Sequence, residues 1–267
     1  LSSMAQTSTA WRAKVDPVVL KKAETEPAFE FVAILKQQAD LSAADQLETK
    51  EEKGTFVFNS LKAAAVHSQN QLTTLLTSLH ATFRPFWVVN CVLVTADAKT
   101  LEAVANLASV ESIIENGKYT VSKTIISASK DEEAPAAIAW GVTKTKADQV
   151  WALGYKGQGI TIAGEDTGYD WKHAALKKTY RGWDGSKANH NYNWHDAVHT
   201  TGSSCGANSP EPCDDQQHGT HTMGTMVGDD GGSNQIGMAP GAKWMGCRNI
   251  NENVGTLASY IECFEFF

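Results

Sequence analysis

The run Asp214-Asp215-Gln216-Gln217-His218-Gly219-Thr220-His221-Thr222-Met223-Gly224-Thr225-Met226-Val227 joins a polar loop to a helix of small residues, with an imidazole at the junction. A helix opening on His218 leaves that ring free of the helix body and open to a cleft. Gly219 and Gly224 remove the side chains that would hold other backbone away. A histidine so placed suits general acid–base chemistry, because its ordinary pKa lies near neutrality. His221, one turn on, is expected to point into the helix packing and to be structural. His-Gly-Thr-His by itself carries limited information, so the reading needs a partner for His218.

Asp166 is the candidate. Gly159-Ile160-Thr161-Ile162-Ala163-Gly164 reads as a short buried strand, and Glu165-Asp166-Thr167-Gly168 follows at its end. In open parallel sheets, active groups collect beyond the carboxyl ends of the strands. A carboxylate there can hold an imidazole in one tautomer and stabilise its protonated form. Taken singly, an aspartate after a strand is a turn former or helix cap, and a histidine in a first helical turn is a surface group. The two motifs together give each other weight.

Strand-Asp-Thr-Gly, followed downstream by His-Gly-Thr-His and a glycine-rich helix, resembles the subtilisin family of serine proteases, whose triad runs Asp, His, Ser along the chain. The resemblance implies Asp166 and His218 as catalytic residues. It also implies a serine in a Gly-Thr-Ser-Met-Ala-type segment, and an oxyanion-hole asparagine, both expected beyond Phe267. On that reading the chain is a protease precursor cut short, inactive by itself. Ile236-Gly237-Met238-Ala239-Pro240-Gly241-Ala242 matches the family's Gly-x-Ala-Pro-x-Ala turn, and Lys243 to Arg248 its next sheet strand. The segments Tyr180 to Gly185 and Asn189 to Asp196 read as an insertion relative to short subtilisins and resemble the larger, bacillopeptidase F-like bacterial members.

The first half carries a different pattern. Phe29 to Leu35 runs as a strand, and Phe58, Leu61, Ala65, Leu72, Leu75 and Leu79 recur at helical spacing between Gly54 and Ala81. Leu41 to Glu52 reads as a short solvated helix. Thr82 to Thr95 reads as strand with a bend near Asn90, then a helix capped by Asp97, then a strand over Val110 to Ile114. Strand, helix, strand, strand, helix, strand is the order of a ferredoxin-like unit, and also of the inhibitory propeptide that precedes subtilisin-like catalytic domains. The expected fold class is therefore α/β: a partial subtilisin-like parallel-sheet catalytic domain preceded by a ferredoxin-like α+β propeptide domain. The expected boundaries are a loose leader with a little helix over 1–27, the propeptide domain over 28–117, a connector and processing region over 118–138, and the catalytic part over 139–267. The maturation bond is expected between Val121 and Trp140.

A hydrophobic content of 42% and a charged content of 20% are those of a globular chain. A formal net charge of -7 gives no reason to expect nucleic acid or an anionic membrane as partner. Expected partners are protein or peptide substrates and the chain's own propeptide as intramolecular inhibitor. Five cysteines are present. Cys205 and Cys213 flank a turn-rich loop and are expected to form a disulfide, in keeping with secretion. Cys91, Cys247 and Cys263 are expected as buried thiols. The array Cys205, Cys213, His218, His221 has poor zinc spacing, so no metal site is expected. Calcium is left open without named ligands, because Ala175 stands where the family's usual aspartate would be. Asp229-Asp230-Gly231-Gly232 reads first as a solvated acidic turn. Asn251 to Ser259 aligns with a groove-lining loop in which Gly255 would let extended peptide approach, in the manner of strand addition. Trp171, Trp183 and Trp194 are candidates for the same groove, with core packing as their commoner fate. The rival to a serine endopeptidase zymogen is a non-catalytic propeptide-type inhibitor or folding chaperone carrying a vestigial protease half.

Overall fold

The computed structural model describes residues 9–122, 138–232 and 234–267, and the chain divides into two compact units, Leu1–Gly117 and Lys118–Phe267. In unit 1 the elements are α1 (Pro17–Thr25), β1 (Phe29–Leu35), α2 (Lys50–Ser78), β2 (Thr82–Phe86), β3 (Cys91–Ala96), α3 (Ala98–Ala105) and β4 (Val110–Glu115). The strands form one sheet in the order β2-β3-β1-β4, each pair antiparallel. Successive strand residues face opposite sides, so Phe29, Phe31, Ala33 and Leu35 line one face of β1. There they meet Leu72 and Leu76 of α2 and Leu101, Val104 and Ala105 of α3. Thr49 and Glu52 close a capping box at the start of α2. The Asp97 carboxylate accepts the Thr100 N–H at the start of α3.

Two expectations for this unit are corrected. The helix expected within the leader over 1–27 is more extensive, and it packs into the unit's core. From Ala10 the chain forms a 3-10 turn, Ala10–Lys14, and then α1. Asp16 caps α1 and Pro17 opens it, a start signal whose missing N–H needs no partner. Val15 and Val19 are buried in the common core. Leu41 to Glu52 is not one solvated helix either. It holds a 3-10 turn, Ser42–Gln46, after which α2 begins at the Thr49 box.

Unit 2 contains β5 (Lys118–Thr120), α4 (Trp140–Lys144), α5 (Ala147–Ala152), β6 (Thr161–Asp166), α6 (Ala174–Lys177), β7 (Trp194–Asp196), α7 (His218–Val227), β8 (Lys243–Arg248), β9 (Ile250–Asn251), β10 (Val254–Thr256) and α8 (Leu257–Phe266). Three strands run parallel in the order β6-β8-β7. Their carboxyl ends are level, since Arg248 is in register with both Asp166 and Asp196. The core behind them is aromatic: Tyr169, Trp171, Tyr180, Trp194 and Trp244 pack with Leu176, Met223 and Val227. Trp171 and Trp194 thus go to the core rather than to a groove, and Trp183 packs at its margin. The strand at β6 is less buried than expected, with Thr161 and Ala163 exposed, because β8 covers one edge of it and the order ends there.

A second sheet, antiparallel, has the order β5-β10-β9. Its first strand is exposed to solvent but adds pairing to the start of the expected connector over 118–138: Tyr119 stands opposite Gly255, and the Val121 N–H reaches the Asn253 carbonyl at 3.0 Å. The rest of the expected processing region, residues 123–137, lies outside the described residues.

Cys205 and Cys213 are bonded, their Cα atoms 5.8 Å apart. Cys247 and Cys263, expected as thiols, are also bonded. The first lies in β8 and the second in α8, 16 positions later. The hairpin β9–β10 between them turns the chain back over the sheet and brings the two sulfurs together. Cys91 is buried in unit 1.

Candidate active site

Asp166 ends β6, and His218 opens α7. The structure brings them together: Nδ1 of His218 lies 2.7 Å from Oδ1 of Asp166. Asp166 is buried at 7% exposure, while a third of the His218 side chain (33%) is open to solvent. Oδ1 of Asp166 also accepts the Thr167 N–H at 2.7 Å, and Oδ2 accepts the Thr222 hydroxyl at 3.0 Å. A carboxylate only accepts hydrogen bonds. The proton of a neutral His218 therefore resides on Nδ1, and Nε2 is left as the basic nitrogen. That is the tautomer a general base requires.

The motif glycines follow from how closely the two segments approach. Gly168 has φ +108, a conformation that disfavours any side chain, and a Cβ there would overlap the Cys213 carbonyl. At Gly219 a Cβ would overlap the Gly168 carbonyl and press on Asp166. A side chain at either position would drive the aspartate strand and the histidine helix apart.

The opening of α7 is stabilised from outside the helix. Gln217 precedes it in a left-handed conformation and gives no side-chain cap, so the first N–H groups need other acceptors. Thr167 Oγ1 takes the Gly219 N–H at 3.0 Å. Asp214 takes the Thr220 N–H at 2.9 Å and the Gln217 N–H at 2.8 Å. Thr222 and Asp214 are the site residues that motif reading passed over. Each had a signal: Thr222 stands one helical turn after His218, and Asp214 is an acidic residue just ahead of a helix start. His221 does not pack inward as expected but is exposed. On a helix starting at His218, the inward positions are Gly219, Met223 and Val227.

Gly255 sits at the centre of β10, between Tyr119 of β5 and Ile250 of β9. A Cβ there would meet the Tyr260 ring, which makes an edge contact with Tyr119, centroids 5.8 Å apart. Beside the pair, Glu165 has one buried carboxylate oxygen without a hydrogen-bond partner, and burial pushes its pKa up to about 7. Among the described residues no group of three or more His, Cys, Asp or Glu is arranged to hold a metal ion. Among them too, no helix is long and apolar enough to cross a membrane.

The model of the subtilase family matches residues 157–265, a span that includes both Asp166 and His218. Bacillopeptidase F of Bacillus subtilis (strain 168) is 36% identical over 244 residues, which is 85% of this chain and 16% of that protein. The major intracellular serine protease of the same organism is 32% identical over 108 residues, 38% of this chain and 27% of that protein. This chain thus spans roughly a sixth and a quarter of the lengths of these two relatives. A crystal structure of an epidermin leader peptide processing serine protease from Staphylococcus aureus superposes with a TM-score of 0.61 at 15% identity, covering 90% of this chain and 47% of that one. At that identity the likeness speaks for the fold alone.

Proposed function

We propose that this chain, a relative of the subtilisin-like serine proteases whose residues 157–265 form a subtilase segment, is the propeptide and N-terminal catalytic part of a serine endopeptidase zymogen. The observation that carries the reading is the 2.7 Å contact of Asp166 with His218 Nδ1 at the carboxyl end of a parallel sheet. In the reaction, Nε2 of His218 takes the proton of a serine hydroxyl as its oxygen attacks the peptide carbonyl. Asp166 stabilises the resulting imidazolium. The imidazolium then passes its proton to the leaving amine, and water releases the acyl group. The reading puts that serine outside these 267 residues, so the chain by itself is expected to hydrolyse no peptide.

Unit 1 is read as a ferredoxin-like propeptide domain. Its element order and the strand order β2-β3-β1-β4 support this, as does its place directly before the catalytic part. The pairing of β5 with β10 supports intramolecular inhibition: an extended segment of the chain lies along the strand on which Gly255 was expected to receive substrate. Two disulfides favour an oxidising compartment, hence secretion.

The test is hydrolysis of a protein substrate by the product of the complete reading frame. His218→Ala should lower kcat by a factor on the order of 10⁶, and Asp166→Asn by about 10⁴, with the fold retained. Turnover left within tenfold of the parent by His218→Ala would end the protease reading.

A further inference from the structure

We propose that the adjacent carboxylates Asp214 and Asp215 are separate positioning residues: Asp214 sets the Asp166–His218 pair, and Asp215 sets the hairpin that ends in β10.

Asp214 accepts from both halves of the pair's surroundings. Its Oδ1 takes the Thr167 hydroxyl at 2.8 Å and the N–H groups of Gln216 and Gln217 at 3.1 and 2.8 Å. Its Oδ2 takes the N–H and the hydroxyl of Thr220 at 2.9 and 2.5 Å. Thr167 follows Asp166 directly, and its oxygen accepts the Gly219 N–H. Thr220 lies two residues after His218, and its oxygen accepts the Asp170 N–H at 2.9 Å. One carboxylate is thus bonded to the residue beside the catalytic candidate on the strand and to the first turn of the histidine helix. Every contact on both oxygens comes from a donor, so an amide cannot replace it. Either orientation of an asparagine would point an NH₂ at an N–H or O–H donor.

Asp215 faces a different set of groups. Its Oδ2 lies 3.3 Å from Arg248, whose guanidinium is fully buried and also binds Asp196 at 3.0 Å. Its Oδ1 accepts the Glu252 N–H at 3.0 Å. Glu252 has φ 55, an unfavourable conformation for a residue with a side chain, and it sits between β9 and β10. The carboxylate therefore holds the turn that aims Gly255 and its neighbours. Burial raises the Asp215 pKa, with the bond to Glu252 and the charge of Arg248 acting against that rise.

The inference concerns the geometry of the pair and of the hairpin, so it stands apart from which reaction they serve. Turnover in the complete product tests the reaction; nuclear magnetic resonance on this 267-residue chain tests the positioning. With ¹⁵N-histidine labelling, the parent should show a strongly deshielded His218 Nδ1 proton bonded to Asp166. Asp214→Asn should abolish that resonance. Amide exchange at Gly219 and Thr220 should accelerate about tenfold, the size expected for one lost hydrogen bond. Asp215→Asn should leave the His218 proton in place and accelerate exchange at Glu252 by a similar factor. If Asp214→Asn does not fold, Thr167→Val and Thr220→Val each remove one arm of the same clamp and should weaken the His218 signal. The proposal is overturned by an unchanged His218 proton in folded Asp214→Asn or, failing that variant, in both valine variants. It is equally overturned if Asp215→Asn disturbs His218 as much as Asp214→Asn does.

Discussion

The two units solve the problem of stability by different means. Unit 1 buries a run of aliphatic and phenyl side chains, among them Val19, Phe31, Leu72, Leu76 and Ile113, between one sheet face and its helices. Unit 2 has a three-stranded parallel sheet and commits polar groups and cross-links to its interior. Arg248 is buried against Asp196 and Asp215. Glu262, at 4% exposure, meets His195 and His199 at 2.6 and 2.8 Å. One disulfide closes a loop and the other ties helix to strand. An apolar core can be built from periodicity alone. A site where a carboxylate, an imidazole and two backbones converge needs partners in fixed geometry, and unit 2 is held by such partners.

If that contrast is right, the largest single-residue effect should come from unit 1. Phe31 is fully buried in the centre of its sheet, and Phe31→Ala should cost about 3–5 kcal/mol by lost transfer energy plus the cavity left behind. Hydrogen exchange read by mass spectrometry should show the loss in peptides from 10–117. A comparable loss of protection around α7 would erase the distinction between the units. Next in size is the bridge between β8 and α8. Replacing both Cys247 and Cys263 by alanine opens a ring with a sequence separation of 16, worth about 3 kcal/mol by loop entropy. The destabilisation should appear in a urea titration as a lower midpoint for unit 2, with the midpoint of unit 1 unchanged.

The same contrast governs what could be read from the sequence. In unit 1 the hydrophobic period and the caps were sufficient: Asp97 caps α3 as its position suggests, and the bend near Asn90 separates β2 from β3. The exceptions were short. A polar N-terminal stretch hid Val15 and Val19, whose burial depends on the groove they fill and not on their own pattern. In unit 2, the contact of Asp166 with His218 was legible because each is followed within two residues by a glycine, Gly168 or Gly219, that permits close approach. Cys247 with Cys263 and the strand at Lys118–Thr120 were not, because each depends on residues distant in sequence. Asp214 was visible as a helix-opening acid, but its bond to Thr167 crosses 47 positions, and no local rule spans that distance.

The smallest predicted effect isolates the cost of building a site rather than a core. Asp166 and Glu165 are neighbours with opposite treatment. Asp166 accepts from His218, Thr167 and Thr222, whereas one oxygen of Glu165 is buried without a partner. Burial raises the Glu165 pKa from 4.5 to about 7, so between those values the folded chain holds a proton that the unfolded chain has released. Stability from this group is fully present below about pH 4.5 and is lost as pH rises through about 7. The full shift would correspond to about 3 kcal/mol, and solvent screening of a half-buried group reduces that to about 1–2 kcal/mol. Glu165→Gln removes the charge and keeps the shape. It should raise the stability of unit 2 at pH 8 by about 1–2 kcal/mol and leave it unchanged at pH 4. Urea midpoints at the two pH values measure the difference. An equal gain at both would mean that the substitution improves packing, and that Glu165 is not a charge carried at the expense of the fold.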